Sequence, residues 1–72
     1  MNYSKLLGLI REKGYTQVEL ASKIGISSVT INKKLRGHSD FTQSEIASIC
    51  KVLEITDADI PAYFFTPKLK FS

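Results

Sequence analysis

The fold is decided by residues 16–37, which read TQVELASKIGISSVTINKKLRG. Thr16 and Glu19 are spaced as a capping box, in which each side chain satisfies the backbone N–H of the other and a helix begins. Gly25 supplies the backbone freedom for a sharp turn, and Ser27 can cap a second helix directly after it. The stretch therefore predicts two helices joined by a short glycine-containing turn, a helix-turn-helix.

The second of these helices has one apolar face and one polar, basic face. Ile31 and Leu35 lie four residues apart and predict the buried side, and Gly37 is placed to end the helix in a left-handed conformation. At about 100° per residue, the positions that point farthest from this buried side are Val29, Lys33 and Arg36, flanked by Ser28, Thr30 and Asn32. These side chains are available to a partner.

Patterns outside this stretch predict three more helices. A first helix carries an apolar stripe over residues 3–10 and ends at Gly14. Thr42 and Glu45 form a second capping box, which starts the fourth helix. Asp59 is expected to cap a short fifth helix that tolerates a proline in its first turn.

The sequence thus predicts an all-α domain of five helices over residues 1–66, with helices 2 and 3 forming the helix-turn-helix. Residues 67–72 are predicted to form a short extended C-terminal tail, because basic and apolar residues alternate in it. Such a tail either adds a strand across a dimer axis or is a disordered terminus.

Charge is distributed unevenly along the 72 residues, whose formal sum is +3. Residues 22–38 hold four basic side chains and no acidic one, whereas residues 39–59 hold five acidic side chains and one basic one. A local basic block in an otherwise balanced chain is typical of a phosphate-binding face. A solvated helix face explains four basic residues about equally well.

Other features exclude several classes of protein. Cys50 is the single cysteine, so no internal disulfide can form and a reducing cytoplasm is expected. No apolar run reaches the roughly 20 residues that span a bilayer, and the N-terminus lacks the pattern of a secretory signal. We therefore expect a soluble, cytoplasmic protein with no membrane partner.

Nothing in the sequence favours catalysis. His38 is the sole histidine, and no second histidine or cysteine is placed to complete a metal site with it. Asp57 and Asp59 stand near a helix start, where carboxylates more often stabilise the helix dipole than perform acid–base chemistry. Catalytic residues, a metal and a cofactor are not expected, and a binding module is a better hypothesis than an enzyme.

The helix-turn-helix residues also carry a family resemblance. They are Gln17-Val18-Glu19-Leu20-Ala21, Ile24-Gly25-Ile26-Ser27, Ile31 and Leu35-Arg36-Gly37. This pattern resembles the Cro and CI repressor type of phage regulator, the XRE-like class, over about residues 3–55. The resemblance implies a lambda-repressor-like fold and a DNA-binding transcription regulator that acts in the bacterial host cell.

Three further segments resemble a narrower group. They are Met1-Asn2-Tyr3-Ser4-Lys5-Leu6, Phe41-Thr42-Gln43-Ser44-Glu45-Ile46 and Tyr63-Phe64-Phe65. The group comprises short Cro-like and modulator-of-repression antirepressor proteins of temperate phages of Gram-positive bacteria. This narrower resemblance implies a part in the switch between lysis and lysogeny.

Carried over position by position, the resemblance implies a binding surface on helices 2 and 3. Its members are phosphate contacts from Gln17 and Ser27, base-edge contacts from Ser28, Val29 and Lys33, and backbone or flanking contacts from Thr30, Asn32, Lys34 and Arg36. Many relatives carry glutamine or arginine at the positions of Ser28 and Val29. Direct base readout is therefore expected to be weaker here.

Two functions follow from the resemblance. In the first, the recognition helix over residues 27–36 enters the major groove of double-stranded operator DNA, with a homodimer contacting two half-sites. In the second, the chain is an antirepressor that binds the N-terminal domain of the partner CI repressor and alters or blocks its DNA binding. Outward-facing Val18 and Val29 would then form an apolar patch for that protein contact.

Overall fold

The computed structural model describes residues 3–64, and these residues form an all-α fold of five helices without a strand. The helices are α1 (Ser4–Glu12), α2 (Gln17–Ile24), α3 (Ser28–Leu35), α4 (Gln43–Leu53) and α5 (Ile60–Phe64), the last preceded by a 3₁₀ turn at Asp57–Asp59. The predicted fold class is confirmed. The predicted tail over residues 67–72 lies outside the described residues.

Both predicted capping boxes are present. Thr16 Oγ1 accepts a hydrogen bond from the Glu19 N–H at 3.1 Å, and Glu19 Oε1 accepts one from the Thr16 N–H at 2.9 Å. Thr42 and Glu45 make the same pair of bonds at 3.1 and 2.8 Å. Each box satisfies two backbone donors that a helix start leaves unpaired, so α2 and α4 begin where the sequence predicts.

The start of α5 differs from the prediction. Asp59 lies within the 3₁₀ turn, and its carboxylate accepts a hydrogen bond from the Thr56 hydroxyl at 3.2 Å. The backbone N–H groups of Asp59 and Ile60 donate to the Thr56 carbonyl at 2.9 and 3.2 Å. The expected Asp59 cap is therefore wrong, because the chain enters α5 through a 3₁₀ turn whose backbone bonds satisfy these donors.

The core lies where the apolar faces of the five helices meet. Its fully buried large side chains are Leu6, Ile10, Leu20, Ile31, Ile49, Leu53 and Phe64. The rings of Tyr3, Phe41 and Phe64 pack edge to face, with centroids between 5.4 and 6.5 Å apart. Edge-to-face packing is favourable because the positive edge of one ring meets the negative face of another. These ring contacts join the two ends of the described residues to the segment just before α4.

Cys50 is a free, buried thiol that packs in the core as a small apolar residue. Burial, with a smaller contribution from the negative charge of Asp57, raises the pKa of this thiol. A raised pKa keeps the thiol protonated at neutral pH and makes it a poor nucleophile. The structure therefore agrees with a packing role for Cys50.

An ion pair with little exposure joins α3 to the start of α4. Lys34 is 9% exposed, and its Nζ donates to Glu45 Oε1 at 2.7 Å and to the Asp40 carbonyl oxygen at 3.0 Å. Burial alone would raise the pKa of the Glu45 carboxyl, but hydrogen bonds from Lys34 and from the Thr42 N–H, with the charge of Lys34, outweigh it and lower that pKa. Lys34 is therefore part of the fold and is not on the outward face.

The Lys34→Met change should lower the free energy of unfolding by about 2 kcal/mol, because it leaves the Glu45 carboxylate partly buried without its partner. Urea denaturation at pH 7 measures this loss. The folded-state pKa of Glu45 is lowered, so the contribution of the pair is present above the unfolded-state pKa and disappears as the pH falls through the folded-state pKa. The difference in the free energy of unfolding between the wild-type chain and the Lys34→Met variant should therefore become smaller at acidic pH.

Lys33→Met is the matched control, since Lys33 is the preceding residue and is exposed. We expect it to change stability by no more than about 0.5 kcal/mol. An equal loss of unfolding free energy in the two variants would contradict a structural role for the ion pair between Lys34 and Glu45.

Gly25 ends α2 with a φ of 81°, and a Cβ at this position would meet no atom within 4 Å. Gly25→Ala should therefore lower stability by about 1–2 kcal/mol through backbone strain alone. Gly8 lies within α1, and its added Cβ would also meet open space. Gly8→Ala should raise stability by about 0.5–1 kcal/mol. Thermal unfolding of both variants checks the prediction, because the melting temperature should fall for Gly25→Ala and rise for Gly8→Ala. A change in the same direction for both variants would refute it.

Candidate functional site

The turn between α2 and α3 fixes the direction in which α3 leaves the core. The Ile26 N–H donates to the Ala21 carbonyl at 3.0 Å, which closes the end of α2. Ser27 then caps α3 by accepting from the Thr30 N–H at 3.1 Å, and its hydroxyl donates to Thr30 Oγ1 at 2.8 Å. The predicted Ser27 cap is confirmed, and the Thr30 hydroxyl is engaged within the helix start.

The outer face of α3 is exposed, as the helical geometry predicts. Val29 is 64% exposed, and Ser28, Lys33 and Arg36 are also exposed. Within the described part of the chain, neither Lys33 nor Arg36 forms an ion pair. Residues 27–37 contain no acidic residue, so the two positive charges are not neutralised within their own helix.

This face is concave where α3 meets the segment that follows it. An open depression of about 940 Å³ is lined by Ser28, Val29, Asn32, Lys33, Arg36, His38 and Ser39. The His38 N–H donates to the Lys33 carbonyl at 2.9 Å, so the chain folds back against the end of α3. His38 and Ser39 were not predicted as members of this surface, because helical periodicity does not extend beyond the terminating Gly37.

A side-chain hydrogen bond joins the start of α2 to the middle of α3. Asn32 Nδ2 donates to Gln17 Oε1 at 3.1 Å, and both residues are half-buried. Val18 follows Gln17 directly and is 64% exposed, and Val29 lies one helical turn before Asn32. Among residues 3–64, these two valines are the exposed large apolar side chains. The predicted exposure of Val18 and Val29 is therefore confirmed.

The structure corrects the expected contribution of Lys34 to this surface. The side chain of Lys34 is 11% exposed and lies on the core side of α3, paired with Glu45. The helical position carries the signal for this, because Lys34 directly precedes Leu35 and follows Ile31 by three residues. Of the predicted site residues, the depression brings together Ser28, Val29, Asn32, Lys33 and Arg36, and Gln17 is joined to it through Asn32. Ser27 and Thr30 bond to each other at the start of α3 and do not line the depression.

Two properties of the described chain bear on other kinds of site. Over residues 3–64 no helix has the length and apolar character needed to cross a membrane. Within the same range no three histidine, cysteine, aspartate or glutamate side chains are grouped as metal ligands.

Comparisons with known proteins agree with this fold. A family model described as "Protein of unknown function (DUF739)" matches residues 1–67. The chain is also similar to the solution structure of the modulator of repression (MOR) of the temperate bacteriophage TP901-1 from Lactococcus lactis, with a TM-score of 0.76 and 42% sequence identity over 90% of this chain and 88% of that chain. No curated protein matches the chain. Its sequence and fold are thus similar to those of a phage regulator, and the chain belongs to the DUF739 family.

Proposed function

We propose that this protein is a phage regulator that modulates repression by binding a repressor protein through the outer face of α2 and α3. The observation that carries the proposal is the 42% identity with the TP901-1 modulator of repression across 90% of the chain. The partner proposed is the N-terminal domain of a CI-type repressor of the same phage, met in the cytoplasm of the bacterial host. Binding alone accounts for this role, and we propose no enzymatic activity.

The exposed valines support a protein partner. A protein interface commonly has an apolar centre within a polar rim. Val29 lies among Ser28, Lys33 and Arg36, which gives the outer face of α3 this character. Burying a valine side chain stabilises a complex by about 1.5 kcal/mol or more, which is enough to change an affinity tenfold.

The Val29→Ser change should weaken binding to the repressor domain about tenfold, because it removes apolar area while adding no charge. Isothermal titration calorimetry with the purified repressor domain gives the dissociation constant. Ala47→Ser, at an exposed position of α4, is the matched control and should leave that constant unchanged. A wild-type chain that forms no complex would end the proposal, and equal affinities for both variants would remove α3 from the interface.

The second candidate function is binding to operator DNA through the same face. Lys33 and Arg36 are exposed and without an ion pair among the described residues, as phosphate or base contacts require. The amide of Gln17 lies at the start of α2, where helix N–H groups also attract phosphate. The two functions are compatible, because the same face can bind operator DNA as part of a homodimer at one time and the repressor at another.

If the chain binds an operator, Lys33→Ala should weaken the complex and reduce the slope of log affinity against log salt by about 1, because one phosphate or base contact is lost. Fluorescence anisotropy with operator fragments at several salt concentrations gives both quantities. Lys51→Ala removes the same charge from an exposed position of α4 and should change neither. Identical salt slopes for the wild-type and Lys33→Ala chains would contradict major-groove binding by α3.

A further inference from the structure

The composition of the α3 surface favours one kind of partner. A recognition helix enters the major groove as a convex rod, with its outermost side chains at the base edges. Here the outermost residues of α3 line an open depression that extends past the end of the helix to His38 and Ser39. Its apolar member, Val29, is 64% exposed among polar and basic side chains, as in the apolar centre of a protein interface, and we therefore look to a protein segment as its occupant.

The charges of the depression set the chemistry of that segment. Lys33 and Arg36 line it, and none of its lining residues is acidic. Arginine binds a carboxylate through two parallel N–H bonds, a geometry that a compact ammonium cannot reproduce. Anionic groups on the partner are thus favoured here, and cationic ones are repelled.

The position of Val29 adds an apolar requirement. Arg36, seven residues later, caps the C-terminal end of α3, so the two positions are about 10 Å apart along the helix axis. A partner segment that covers both positions must present an aliphatic side chain at one end and a carboxylate at the other. Two turns of an amphipathic helix with a glutamate or aspartate satisfy that spacing.

We propose that the depression lined by Val29, Lys33, Arg36 and His38 is the docking site for an acidic, amphipathic segment of the repressor protein, with carboxylates paired to Lys33 and Arg36 and an aliphatic side chain against Val29. This inference rests on the proposed function and specifies the chemistry of the partner surface. It also adds His38 and Ser39 to the contact surface.

The test uses charge reversal in the full-length chain. Arg36→Glu places a negative charge in the depression and should weaken the repressor complex at least tenfold. Lys51→Glu is the matched control, because Lys51 is an exposed basic residue near the C-terminal end of α4, as Arg36 is at the C-terminal cap of α3. It should change the dissociation constant less than twofold. Thermal unfolding of both variants verifies that each is folded.

Ionic strength gives a second readout that does not depend on any variant. The dissociation constant of the wild-type complex should rise at least tenfold between about 50 and 300 mM NaCl, because partly exposed ion pairs are screened by salt. For Arg36→Glu the salt dependence should be weaker or reversed in sign.

The outcomes separate the two proposals. Absence of any wild-type complex with the repressor overturns the proposed function. A wild-type complex that is insensitive to salt and to Arg36→Glu leaves the proposed function standing and overturns the acidic docking segment. The acidic docking segment is also overturned if the Arg36→Glu chain loses operator DNA binding but keeps full affinity for the repressor. That result would assign the depression to DNA.

Discussion

The Lys34 ammonium ties the C-terminal half of α3 to the start of α4, because it is shared between the Glu45 carboxylate and the Asp40 carbonyl. An ion pair with this little exposure adds little net stability compared with an apolar pair, since desolvation offsets most of its attraction. Its geometry is nevertheless demanding, because both acceptors must be reached at once. One end of α3 is thus fixed by Lys34 and the other by the Gly25 turn and the Ser27 cap.

The same ion pair changes the electrostatics of the surface. Of the four basic residues in the segment over residues 22–38, Lys34 is paired in the interior, and Lys23 lies over the Tyr15 ring with 5.9 Å between its Nζ and the ring centroid. Lys33 and Arg36 are the two that remain on the outer face of α3. Two charges and an exposed valine make a surface that suits a mixed apolar and ionic contact.

Most of the fold was predictable from the sequence, because its determinants are local. The capping boxes at Thr16 and Thr42 need only a spacing of three residues, and the buried faces need only helical periodicity. The 3₁₀ turn before α5 was not predictable in this way. It combines backbone bonds to the Thr56 carbonyl with a hydrogen bond from the Thr56 hydroxyl to Asp59, and the Thr-x-x-Asp spacing alone does not distinguish a 3₁₀ turn from an α-helix start.

The candidate site was predictable only in part. The exposure of Val29, Lys33 and Arg36 follows from their helical angle relative to Ile31. The pairing of Lys34 with Glu45 joins residues eleven apart across two helices, and the contribution of His38 and Ser39 depends on how the chain folds back after α3. Both are tertiary features, so a sequence pattern within one helix does not contain them.

The hydrogen bond between Asn32 and Gln17 has a consequence for the energetics of recognition. It couples the first turn of α2 to the centre of α3, so the Gln17 and Asn32 side chains already hold each other in place before a ligand arrives. Less rotational freedom is then lost when the complex forms, and a small contact area can sustain useful affinity. For a domain whose α3 has only eight residues, preorganisation compensates for limited size.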